Sequence, residues 1–384
     1  MSTNSQPLLL RAGRLACFCP PGTPIAGPVR SGLHYDLAAG FALAVLAQVL
    51  VLGLLPLAGL MLAPQPHWIG LPYLALLMGA AIATFPAAFL LDAFGRRAAF
   101  ALGASHGLAG GLVMAWALLN HAFWPFCLGA FWTGIAQGFS LFYRHEAAIG
   151  IGSSKLALGA LQVFGAGALA GLAGPFIAET AARLMPYTPY IGLALMAAGA
   201  QIGVLTLASR MAKQDEPIRD EPNPDQPAPD IWQGLDRRFW GASLMAGLAW
   251  MTMTALMVAT PNAMIQCGIA VSGVMAAMGW HVIAMYVPAF ALGLIGPIQA
   301  RWLTGWGGLA VLLLAGALWR NLNYLSDFTS FLIVIALGWS LATSAATALL
   351  HERGRLPRLL LGLHDFLLFA AAVLGALAAG LLNG

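Results

Sequence analysis

The chain alternates long, nearly unbroken apolar runs with short polar stretches. Within the runs there is no residue-by-residue alternation of apolar and polar positions. That excludes a transmembrane barrel and predicts helices. The runs cover 35–62, 68–91, 98–119, 123–143, 156–178, 187–208, 238–260, 268–299, 302–319, 326–350 and 359–382. Each is near or above the ~20 residues a helix needs to cross hydrocarbon. Pro56, Pro86, Pro288 and Pro297 fall inside runs, where membrane helices tolerate them. The expected fold class is an all-α polytopic membrane protein with eleven spans.

The polar stretches divide the chain. Residues 1–33 form a tail with Arg11, Arg14 and Arg30, expected on the cytoplasmic side. Its short apolar run, Leu8 to Leu10, is cut by Arg11 and does not make a signal peptide. Residues 209–237 carry Pro217, Pro222, Pro224, Pro227 and Pro229 among seven acids, which reads as a flexible linker. The expected organisation is a six-helix bundle at 34–208 and a second helix bundle at 238–384.

Composition agrees with the pattern. The 384 residues hold 18 Lys/Arg and 14 Asp/Glu, and 60% of the chain is hydrophobic. A soluble domain is about 25% charged, three times the 8% found here. Soluble enzyme, nucleic-acid binder and disordered protein are thereby excluded. The net charge of +4 then reads as a positive-inside signal rather than a nucleic-acid surface. With the N-terminus in the cytoplasm, only Arg183 and Arg320 of the 18 basic residues fall outside.

Six spans, a long linker and a second bundle resemble the major facilitator superfamily. The loop Asp92-Ala93-Phe94-Gly95-Arg96-Arg97 follows the second span, where the superfamily carries G-x-x-x-D-R-x-G-R-R. Asp92, Gly95, Arg96 and Arg97 match, while Ala93 and Ala88 depart from it. Gly95 suits a tight turn, and the arginines are expected to pair with Asp92 or to cap helix ends. Gly171-x-x-Gly174-Pro175 in the fifth span resembles the superfamily's Gly-Pro element. The superfamily norm is twelve spans. With eleven, either the last helix is missing from this sequence or the protein works without it.

The candidate chemistry is concentrated. Eight of the 15 methionines lie between residues 245 and 285: Met245, Met251, Met253, Met257, Met264, Met275, Met278 and Met285. On the seventh span, Met253 and Met257 share a helical face; on the eighth, His281 shares one with Met285 and with Met278. Methionine is commonly a mere apolar filler, but an imidazole inside an apolar span is a functional signal. Thioether and imidazole suit Cu(I), and no acidic cluster accompanies them to suit a hard divalent ion. Thioethers also bind without releasing a proton. Counting from span ends at 260 and 268 at ~1.5 Å per residue, Met257 would lie ~5 Å and Met253 ~10 Å below the outer face. Met278, His281 and Met285 would follow at ~15, ~20 and ~25 Å, a descending ladder.

Met253-x-x-x-Met257, Cys267 ten residues later, and His281-x-x-x-Met285 resemble the CcoA-type copper importers of the major facilitator superfamily. The resemblance implies import of copper across the bacterial inner membrane for assembly of cbb3-type cytochrome oxidase. It implies Met253, Met257, His281 and Met285 as copper-related residues, with Cys267 a lesser candidate. It implies copper as cargo, no permanently bound cofactor, and a copper chaperone or oxidase assembly protein as partner beside membrane lipid. Two alternatives stand: a carrier of an organic solute such as riboflavin, and a non-transporting copper-delivery or oxidase assembly factor. No nucleotide-binding loop, nucleophile triad or zinc-type cysteine spacing is present, so an enzyme is not expected.

Weaker candidates remain. Cys17 and Cys19 could take Cu(I) in the tail, and Cys127 reads as a small apolar residue. Asp365 could couple protons or, with His364, anchor its helix at the interface. Asp36, Glu146 and Glu179 lie at helix ends. His106, Gln48, Gln137, Gln162 and Gln299 could face a cavity or bond between helices. Tyr143-Arg144-His145-Glu146 ends the fourth span, with Arg144 and Glu146 expected to pair across bundles.

Overall fold

A computed structural model describes residues 32–149, 156–211, 234–295, 301–352 and 356–382. Cys17, Cys19, Gln299, Pro297, most of the tail and most of the linker lie outside the described residues. Among those described the structure is helical, with no strand. Among the described residues the helices fall into eleven successive stretches. The first six are α1 (Gly32–Leu62), α2 (Leu71–Ala93), α3 (Gly95–Leu119), α4 (Phe123–Ser140) with α5 (Phe142–Ile149), α6 (Leu156–Gly165) with α7 (Ala168–Leu184), and α8 (Pro189–Arg210). The later five are α9 (Arg237–Gln266), α10 (Val271–Ile295), α11 (Arg301–Ala317), α12 (Leu325–Leu350) and α13 (Arg358–Leu382). Among the described residues nine stretches are long and apolar enough to cross a membrane; the other two are α4 with α5, and α11.

The helices before the linker pack mainly on one another: α2 and α3 on α4, α3 on α8, α1 on α8. Those after it do likewise: α9 on α13, α12 on α11 and α10. Two seams join the groups, α2 against α13 and the α6–α7 pair against α10. The second seam depends on glycine. A Cβ on Gly165 would lie 2.4 Å from the Phe290 backbone, and one on Gly171 would lie 2.8 Å from the Ile283 nitrogen. Gly171 of the Gly-Pro element thus serves close helix approach.

Exposed Leu60, Ile82, Phe89, Leu112, Phe176 and Leu314 cover the outward faces. In water such a surface would aggregate; against lipid tails it is at home.

Two helix limits differ from the sequence expectation. The seventh span continues through Pro261 to Gln266 rather than ending at 260. The ring of Pro261 costs only a local backbone hydrogen bond, which a packed membrane helix absorbs. The fifth span breaks between Gly165 and Ala168 and runs on to Leu184. Asp236 starts α9 by accepting from the backbone nitrogens of Arg238 and Phe239 at 3.0 and 2.9 Å, a capping arrangement.

Candidate functional site

His281 stands on α10 with no solvent exposure. Its Nδ1 lies 2.8 Å from the carbonyl oxygen of Leu332 on α12. A carbonyl only accepts, so Nδ1 must carry the proton and donate it. Nε2 is then a bare lone pair, buried and without a hydrogen-bond partner. This is how metal-ligating histidines are commonly held: one nitrogen tied to a carbonyl, the other left free for the ion. Among the described residues no three His, Cys, Asp or Glu side chains gather as a metal site. Met278 and Met285, on the same helix as His281, are the thioethers nearest to it in sequence.

The revised helix limits rearrange those thioethers. Counted from Gln266, where α9 ends, Met257 lies ~14 Å and Met253 ~20 Å from that face at 1.5 Å per residue. Counted from Val271, where α10 begins, His281 lies ~15 Å and Met285 ~21 Å from it. The descending ladder is thus corrected to two tiers, Met257 level with His281 and Met253 level with Met285. Met278 lies above them at ~10 Å. Met253 is buried, while Met257, Met278 and Met285 are half-buried. The tiers are not closed into one cage: α9 and α10 barely touch, and each packs on α12 instead. Cys267 caps the end of α9, exposed and apart from both tiers.

Beside the tiers lies an aromatic cluster that the sequence did not reveal. Phe41 (α1), Phe164 (α6), Tyr286 (α10), Trp339 (α12), Trp250 (α9) and Phe369 (α13) form a continuous chain across both helix groups. Ring centroids are 5.2 Å apart for Phe164 and Tyr286, and 5.3 Å for both Trp250–Trp339 and Trp250–Phe369. Trp250 and Met253 lie three residues apart on α9, and Tyr286 follows Met285. Only folding brings these rings together, since each comes from a different helix. A small cleft within the first group gathers Gln48, Gln137, Gln201 and Ser140. Gln162 instead donates to the Gly293 carbonyl at 2.9 Å across the α6–α10 seam.

The face that carries the linker is shut by charge. Gly95 adopts φ of 78°, the left-handed turn that its position in the loop suggests. That turn leads Arg96 to Glu146, which is fully buried. Arg358, at the start of α13, donates through Nε to Glu146 at 2.6 Å and through Nη1 to Asp92 at 2.7 Å. Of the two expected roles for the loop arginines, pairing with Asp92 is not seen, since Asp92 binds Arg358 of the far group; Arg96 instead reaches the Glu146 carbonyl oxygen near the end of α5 at 3.4 Å, and Arg97 is exposed. Burial pushes the Glu146 carboxyl up, but Arg96 and Arg358 outweigh it and hold the carboxyl below the usual range. Deeper in, Arg144 donates to Asp365 at 2.5 Å, so Arg144 and Glu146 both reach across groups as expected. His364 and Asp365 are fully buried within the protein. His145 Nδ1 sits 3.1 Å from Nε2 of His351. Burial, then the neighbouring His145 and Arg144, holds His351 well below the ordinary histidine value, so it is neutral at pH 7.

The human organic anion transporter MFSD10 superposes with a TM-score of 0.68 at 16% identity, covering 92% of this chain and 94% of that one. A bacterial homologue of the iron transporter ferroportin, in its outward-facing state, gives 0.65 at 13%, covering 92% and 93%. The proton:xylose symporter XylE, a major facilitator protein, gives 0.61 at 11%, covering 92% and 95%. The fold is that of the major facilitator superfamily. The Asp92–Arg97 loop joins α2 to α3, and Gly171, Gly174 and Pro175 lie in α7. In sequence, the chain is 29% identical over 348 residues to the riboflavin transporter RfnT of Brucella anthropi, across 88% of this chain and 86% of that protein. No protein-family model matches the chain.

Proposed function

We propose that this chain is a major-facilitator carrier that imports copper, as Cu(I) or a copper complex, across the bacterial inner membrane. The observation that carries the reading is the lone pair of His281 Nε2, buried and unpartnered, at the level of a thioether on the neighbouring span. A soft monovalent ion is the cargo that imidazole and thioether together favour. The bundles at 34–208 and 238–384 rock about this region, and the tiers pass the ion inward. The bias of basic residues supports a cytoplasmic linker face and N-terminus. Assembly of a cbb3-type oxidase is the use that the CcoA resemblance implies for the copper, through a chaperone or assembly partner.

A second reading is carried by a different observation. The aromatic cluster spans both helix groups, and RfnT is described as a riboflavin transporter. A flat conjugated ring would stack well between such side chains when the bundles part.

Cells lacking their own copper importer separate the two. The intact protein should raise cellular copper, and His281→Ala and Met253→Ala should each abolish the gain. Copper gain untouched by both changes would overturn the proposal. Rescue of a riboflavin auxotroph would favour the second reading. Normal copper with a defective oxidase would point to an assembly factor that does not transport.

A further inference from the structure

The described charges that shut the linker face fall into two layers. The outer layer, Asp92, Arg96, Glu146 and Arg358, is satisfied: each carboxylate meets at least one guanidinium. The inner layer is held by one guanidinium alone. Asp365, seven residues into α13, is fully buried. Its Oδ1 accepts from Arg144, while Oδ2 has no hydrogen bond. Nε2 of His145 stands 3.4 Å from that oxygen, a long contact that becomes an ion pair only when the imidazole is protonated. Nδ1 of His145 faces Nε2 of His351 at 3.1 Å. His351 is next to Glu352, whose side chain is 31% exposed and binds Arg238 and Arg301 at the surface. A row of titratable side chains thus leads from the surface of the linker face to one buried carboxylate oxygen.

Every neighbouring element presents its groups to this point. From α5 come Arg144 and His145. The end of α12 gives His351, and α13 itself gives His364, which meets Ser243 of α9 through Nδ1 at 2.9 Å. On the apolar side, the Arg144 guanidinium lies over the Phe164 ring at 5.4 Å. From α2, Phe85 packs on Phe366 at 5.3 Å. Arg144 and Asp365 belong to different helix groups, so opening the linker face must part them. A lone carboxylate in an apolar setting is costly as an anion, and accepting a proton removes the cost.

We propose that Asp365 is a proton-binding site, reached through His351 and His145, and that opening of the linker face takes up one proton there. The site makes opening of the linker face depend on the pH on that side, whatever the cargo. The inference rests on the transport reading but not on copper, so its test uses no cargo. When the face opens, the Arg144–Asp365 pair breaks and Asp365 Oδ2 gains a proton from solution. When the face closes, the proton leaves by the same row and the pair reforms. Proton uptake on opening makes acid favour the open state.

The test is a distance measurement on the full chain in lipid nanodiscs. Cys17, Cys19, Cys127 and Cys267 are replaced by Ser, and fluorophores are placed at Ala98→Cys and Arg237→Cys, exposed positions on the linker face in the two helix groups. Energy transfer is followed after rapid acidification from pH 8 to pH 5. The expected result is a fall in transfer in the parent protein. That fall should be absent in Asp365→Asn. It should be equally absent in Arg144→Gln combined with Asp365→Asn, which leaves no unpaired charge and guards against misfolding of the single variant. His351→Gln should keep the amplitude but slow the change at least tenfold. A parent protein whose transfer ignores pH, or a double variant that responds like the parent, would overturn the proposal. Copper transport failing while the pH response stands would sink the cargo reading alone.

Discussion

At the scale of single residues, burial gives polar side chains their weight. Glu146 is shared by Arg96 and Arg358 with no exposure of its own. Removing its charge leaves two guanidinium groups short of their partner. Breaking a buried pair from one side costs about 3–5 kcal/mol. Glu146→Gln should therefore lower the melting temperature of the detergent-solubilised protein clearly, whereas Arg97→Gln, at an exposed position, should leave it nearly unchanged. The sign with pH follows from the same pairing. The folded carboxyl is held below its ordinary range, so its stabilisation is whole above the unfolded value near ~4.3 and is lost as pH falls beneath that. Thermal unfolding recorded between pH 7 and pH 3 should show that acid loss in the parent and a flatter profile in Glu146→Gln. His281 teaches a different lesson. Its type and its span were legible in sequence, because an imidazole stands out in an apolar run. The Leu332 carbonyl that fixes its tautomer was not, since any residue supplies a carbonyl and only the packing of α10 on α12 selects one.

Among the elements, the seam between α6–α7 and α10 is set by two small residues. Filling Gly165 or Gly171 would force backbones apart, and overpacking of this kind costs about 1–3 kcal/mol. Gly171→Leu should reduce thermal stability by that order, while Gly199→Leu, where a Cβ would meet open space, should not. Melting curves of the two variants would check this. Helix number was legible because each crossing is a continuous apolar run. Helix ends were less so. Pro261 looks like a stop in sequence, yet α9 passes through it and brings Met257 level with His281. That shift of a few residues turned a ladder into tiers. The break at Gly165–Ala168 left no hydrophobic signature either, because both sides of it are apolar.

For the whole molecule, two contacts of long sequence separation join the helix groups. Arg144 and Asp365 are 221 residues apart, and Phe41 and Tyr286 meet edge-on from opposite helix groups. Neither pairing could be read from spacing. What sequence did supply was the fold class, through the scarcity of charge, and the paired motifs on the seventh and eighth spans. The structure joins these into one account. A linker face locked by ion pairs lies on one side of an aromatic and thioether core, and in the proposed account its opening frees what that core holds. The central claim concerns what it holds. Uptake of radioactive copper, kept reduced, into liposomes containing the purified protein tests it most directly. The account predicts uptake well above protein-free liposomes, lost in His281→Ala and reduced at least tenfold in Met257→Ala. Copper uptake no greater than in protein-free liposomes, in preparations that do take up riboflavin, would contradict it.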